Sequence, residues 1–108
     1  MQIEPTERFK REFKRLVRKF PSLQNELKQV VKDLHNNPNL GTSIGMGCYK
    51  IRLPIASKGV GKSGGARIIS YVRLTQEHID LLTIYDKNEV SNISDKEILK
   101  IIEKYIEA

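Results

Sequence analysis

Residues 48–85 read CYKIRLPIASKGVGKSGGARIISYVRLTQEHIDLLTIY, and this stretch decides the fold. Tyr49, Ile51, Leu53 and Ile55 alternate with Cys48, Lys50, Arg52 and Pro54, the period of a strand with one core face. Ser57 to Gly65 holds four glycines and two lysines and reads as a loop. Ala66 to Leu74 alternates again, with Ala66, Ile68, Ser70, Val72 and Leu74 opposite Arg67, Ile69, Tyr71 and Arg73. After the polar turn Thr75-Gln76-Glu77-His78 comes an apolar run, Ile79 to Tyr85, as expected for a strand covered on both faces. Short connections between consecutive strands make them antiparallel.

Working outward, residues 6–20 carry Phe9, Phe13, Leu16, Val17 and Phe20 on one stripe at helical period. Thr6 is the expected N-cap. Arg8, Lys10, Arg11, Lys14, Arg15, Arg18 and Lys19 fill the remaining face. Pro21 ends this helix, and Ser22 is expected to cap a second, with Leu23, Leu27, Val30, Val31 and Leu34 inward. The two form an αα-hairpin, closed by Asn36-Asn37-Pro38-Asn39. Gly41, Gly45 and Gly47 mark a turn-rich connection to the first strand. On the far side, Ser94-Asp95-Lys96-Glu97 is a capping box ahead of Ile98, Ile101, Ile102 and Tyr105. The expected class is therefore α+β: an N-terminal αα-hairpin packed on a small antiparallel sheet, with a short C-terminal helix. Gln2 to Glu4 is a candidate edge strand.

The chain has 108 residues, 19 Lys+Arg against 13 Asp+Glu, and a formal charge of +6. That size fits one domain over residues 1–108. No apolar run approaches the roughly 20 residues that span a bilayer, and Met1 to Pro5 leads into no signal-like segment. One cysteine, Cys48, excludes an internal disulfide and suits a reducing compartment, so a cytoplasmic protein is expected. With His35 and His78 as its only histidines, the chain lacks ligands for a Cys/His zinc site. No metal, small-molecule cofactor or membrane partner is expected.

Residues 56–63, ASKGVGKS, match a relaxed phosphate-binding P-loop pattern. That motif needs a helix after it, whose N-terminal amides face the phosphates, and here a strand follows. The segment is instead a cationic hairpin loop. Lys58 and Lys62 lie on it, Lys50 and Arg52 on the strand entering, and Arg67 on the strand leaving. Lysines at a sheet edge also discourage aggregation, which accounts for Lys58 and Lys62 as well as phosphate binding does. It accounts less well for Arg52, Arg67 and Arg73, which are mid-strand.

The run YKIRLPIASKGVGKSGGARIISY (49–71), then IDLLTIYDKNEVSNIS (79–94), resembles the RelE/HigB-type toxins of bacterial type II toxin–antitoxin systems. The helical hairpin ending in NPNLG fits the same pattern. The resemblance implies a ribosome-dependent mRNA endonuclease that works without a metal and is silenced by a cognate antitoxin. Its partners would be the antitoxin, the ribosome and mRNA. In such cleavage the 2′-OH attacks phosphorus, and the enzyme moves two protons and stabilises the phosphorane. Arginine suits the phosphorane, because its planar fork binds phosphate oxygens bidentately. Arg67 matches the family's arginine after the loop. Lys62, Lys87 and Tyr85 complete the expected catalytic set, and Lys50, Arg52, Lys58 and Arg73 the RNA-binding set. A lysine serves as acid or base where neighbouring cations lower its pKa. Tyr85 reads equally as a core tyrosine. RelE prototypes carry a Lys-Arg pair after the last strand and a tyrosine beyond it; here Lys87-Asn88-Glu89 follows, and the next tyrosine is Tyr105. Two alternatives stay open: a ParE-like toxin acting on DNA gyrase, and a non-catalytic RNA-binding module. The cationic face of the first helix reads either as a solvated surface or as a grip on RNA.

Overall fold

Thr6 opens the first helix as its sequence predicts. Its backbone is extended, and its Oγ1 accepts from the Phe9 N–H at 3.0 Å while donating to the Leu82 carbonyl at 2.8 Å. Such a cap contributes about 1 kcal/mol, and here the same hydroxyl also pins the helix to a strand.

The computed structural model describes residues 1–59 and 64–107. In chain order it holds β1 (Gln2–Pro5), α1 (Glu7–Lys19), α2 (Leu23–Asn36), β2 (Thr42–Gly45), β3 (Cys48–Leu53), β4 (Ala66–Arg73), β5 (His78–Asp86) and α3 (Asp95–Tyr105). The strands form one sheet in the order β1-β5-β4-β3-β2. From β2 to β5 it is antiparallel, as the short connections require. The candidate edge strand at the N-terminus is β1, and it runs parallel to β5, so the sheet is mixed. The helical hairpin between β1 and β2 supplies the crossover that a parallel pair needs.

Alternation along β4 places Ile68 and Ile69 in two different cores. Ile68 joins Ile51, Leu53, Ile79 and Ile84 beneath Phe9, Leu16, Leu23, Val30 and Leu34 of α1 and α2. Ile69 joins Cys48, Leu82 and Tyr85 beneath Ile98, Ile101 and Ile102 of α3. The sheet is thus the middle of three layers, which explains the unbroken burial of β5 from Ile79 to Asp86.

Beyond Leu81, no strand among the described residues pairs with this edge of β5. Glu12 of α1 covers it, accepting from Thr83 Oγ1 at 2.7 Å and from the Ile84 N–H at 3.2 Å. An open strand edge is thereby closed by a helix side chain.

Two local expectations are corrected. Ser22 does not cap α2 with its side chain: its hydroxyl donates to Glu26 Oε1 at 3.0 Å and accepts from the Ser57 N–H at 2.9 Å. The turn-rich connection contains β2, joined to β3 through Met46 and Gly47, both with positive φ (60° and 75°). That is the backbone of a two-residue hairpin turn whose twist matches the strands.

Candidate active site

Arg52, Arg67 and Tyr85 form one row across three strands. Arg52 stands opposite Arg67 in the β3–β4 ladder, and Arg67 opposite Tyr85 in the β4–β5 ladder. Directly opposed residues share a face with Cβ atoms about 4.5–5.5 Å apart, and the face here is the one that carries α3. Lys50, two residues before Arg52, lies on the same face and donates to Asn92 Oδ1 at 2.8 Å. The Lys87 N–H donates to the Gly65 carbonyl at 3.1 Å, adding one rung to the β4–β5 ladder, and the Lys87 side chain is exposed. Gly65 sits so close to the Leu53 carbonyl that any side chain there would collide with backbone, which explains a glycine at the entry to β4.

Arg67 and Tyr85 are both 4% exposed, whereas Arg52 is open to solvent. Like charges directly opposed across a ladder repel, and an anion between or above the two guanidiniums would offset that repulsion. One Arg67 N–H donates to the Ala66 carbonyl at 3.1 Å, which orients the fork. The Tyr85 hydroxyl is buried with no hydrogen-bond partner among the described residues. Burial pushes it above the usual tyrosine range, against the opposing charge of Arg67. It therefore stays protonated, as a hydrogen-bond donor without an acceptor among the described residues.

The remaining expected residues lie elsewhere. Lys58 is at the same end of the sheet but on the α1–α2 side, 2.8 Å from Asp86, with its ammonium 5.3 Å from the Phe20 ring centroid. Asp86 is 2% exposed and also accepts from the Asn88 N–H at 3.0 Å. Lys58 is thus held by a buried carboxylate. Arg73 is six residues from Arg67, about 20 Å along the strand, and pairs with Asp80 at 2.8 Å. Lys62 lies outside the described residues. The motif at 56–63 leads into β4, a strand, so a P-loop's helix is absent there. His78 contacts Asp80 at 3.0 Å, and among the described residues no group of His, Cys, Asp and Glu is placed to hold a metal. Burial pushes the Cys48 thiol up to about 11, so it is no nucleophile at neutral pH.

Sequence reading did not single out Asn92 or Glu89. Glu89 receives both Arg15 nitrogens, at 3.2 and 2.8 Å, and lies 3.5 Å from Lys19. The Arg15 hydrogen bonds hold its carboxyl below the usual range. This ties the end of α1 to the turn that carries Lys87. Isolated polar residues in a turn have no periodic signature, so nothing in the sequence marks them.

A family model described as the RelE toxin of the RelE/RelB toxin–antitoxin system matches residues 8–106. Among solved structures, a double-arginine mutant of the E. coli toxin RelE in its free state is similar at 15% identity and a TM-score of 0.63, covering 95% of each chain. At that identity the likeness shows the fold. No described helix is long and apolar enough to cross a membrane.

Proposed function

The chain belongs to the family of RelE toxins of toxin–antitoxin systems, and from that premise we propose that it arrests translation by cutting mRNA on the ribosome. A toxin of this family has a cognate antitoxin as its partner. The observation that carries the nuclease reading is the row Arg52–Arg67–Tyr85, two cations and a protonated phenol on adjacent strands.

In this reading the scissile phosphate lies over Arg67. The guanidinium fork binds two non-bridging oxygens and strengthens its hold as they gain charge in the phosphorane. Arg52 adds a second cation from the solvent side. The Tyr85 hydroxyl, with no acceptor among the described residues, donates a hydrogen bond to a phosphorane oxygen or its proton to the departing 5′-oxygen, while water takes the proton of the attacking 2′-OH. Lys50 and Lys87 hold the flanking phosphates. The protein's own cations thus supply the charge that a metal ion provides in other nucleases. A gyrase poison has no use for a phosphate-sized cationic row.

Induced expression of the chain alone is the test. Growth should stop, with discrete cuts inside translated mRNA. Intact mRNA with relaxed or broken DNA would overturn the reading in favour of gyrase.

A further inference from the structure

The helix α1 carries seven Lys and Arg residues and two Glu, a net +5 against +6 for the whole chain. Glu12 is turned to the β5 edge, and Glu7 lies 3.2 Å from Lys10. Between α1 and α3 lies a groove of about 360 Å³. Its two acids, Glu12 and Glu97, are both taken by Arg8, at 3.2 and 3.0 Å. That leaves Arg11, Lys100 and Lys104 as surplus cations around one aromatic ring, Tyr105. Arg11 donates to the Tyr105 hydroxyl at 3.5 Å, and the Lys104 ammonium is 5.3 Å from the ring centroid. Lys100 and Lys104, four residues apart, project from one face of α3.

We infer that this groove is a second RNA site, with phosphates on Arg11, Lys100 and Lys104 and a base against Tyr105. Cations that track a backbone beside an aromatic ring that stacks a base are the two elements of single-strand recognition. A nucleic-acid strand uses both elements at once, its phosphates on the cations and a base on the ring. The groove is joined to the candidate active site by α1, whose Arg15 and Lys19 meet Glu89 beyond Lys87. Between that contact and the groove, Arg11 and Lys14 of α1 pair with no acid among the described residues, and a longer strand would pass over them. The inference rests on RNA being the ligand of the candidate active site, and its test separates the two.

The probe is a fluorescent single-stranded RNA with 2′-methoxy sugars throughout, which cannot be cut, titrated with full-length protein. Lys100→Gln with Lys104→Gln should weaken binding about tenfold or more at 0.1 M salt. It should also flatten the log–log salt dependence by about 1.4, two phosphates at roughly 0.7 each. Tyr105→Leu should weaken binding without changing that slope. The charge-matched control, Lys28→Gln with Lys32→Gln on exposed positions of α2, should stay within about twofold. Equal losses in both double variants would mean diffuse attraction and overturn the site. So would unchanged RNA binding with lost antitoxin binding, which would make the groove a protein interface. Groove-dependent RNA binding by a chain that never cuts on ribosomes would sustain the site and remove the nuclease. Normal cutting by a chain whose RNA binding ignores all three substitutions would do the reverse.

Discussion

The Lys58 ammonium lies 2.8 Å from the Asp86 carboxylate, on the opposite side of the sheet from Tyr85, the residue just before Asp86. A carboxylate that is 2% exposed depends on such a partner. Removing one member of a buried pair typically costs about 3–5 kcal/mol, because the other charge remains buried. Lys58→Ala should lower the unfolding free energy by about 3 kcal/mol in urea titration. A loss under about 0.5 kcal/mol would show that the pair does not hold the loop root.

Arg67 should separate catalysis from binding. Arg67→Ala should reduce single-turnover cleavage on programmed ribosomes about 10²–10³-fold, equivalent to roughly 2.7–4 kcal/mol. Ribosome binding should change far less, and circular dichroism should report an intact fold. Arg67→Lys should recover little, since a point charge does not replace a planar fork. Cleavage at near wild-type rate by Arg67→Ala would put the active site on another face.

Arg52 should trade activity against stability. Removing a directly opposed like charge relieves a repulsion of about 0.2–1 kcal/mol. Arg52→Gln should therefore raise the melting temperature slightly while slowing cleavage at least tenfold. A variant that is both less stable and fully active would contradict both roles.

Tyr85→Phe deletes a buried hydroxyl that has no partner among the described residues. Leaving such a group unsatisfied costs about 1–3 kcal/mol, so the variant should be at least as stable as the parent. Its cleavage should fall about 10²-fold or more if the phenol transfers a proton. Unchanged cleavage would assign Tyr85 to the core alone.

Cys48 gives the alkaline limb of stability. Its thiol is raised from the ordinary 9.0 to about 11 by burial. Above pH 9 the unfolded thiol ionises while the native one keeps its proton, so stability is full below pH 9 and falls toward pH 11. The loss is at most about 3 kcal/mol, two pKa units at roughly 1.4 kcal/mol each. Cys48→Ala should flatten the stability curve over that window by this amount. An alkylating reagent at pH 8 should label Cys48 only after denaturation.

Features set by neighbours in the chain were legible, and features set by distant partners were not. Thr6 and Ser94 cap their helices as read, because a cap reaches only three residues ahead. Ser22 has the same residue type, yet its hydroxyl is claimed by Ser57, 35 residues away. Alternation revealed β3 and β4, and an unbroken apolar run revealed β5; β2, four residues long and ending in glycine, depends on β3 for its pairing and shows no period of its own. At the site, Arg67 was marked by its position after the loop. The ion pairs that hold Lys58 and Arg73 needed Asp86 and Asp80, which only the fold brings near.

The partnership of Thr6 with Leu82 spans 76 residues. β5 enters the sheet between β1, made at the start of synthesis, and β4, made far later. Such non-local closure is slow and cannot begin until the last strand exists. Arg52 and Arg67 are made before Tyr85, so the row across the three strands is complete only once the last strand takes its place between β1 and β4.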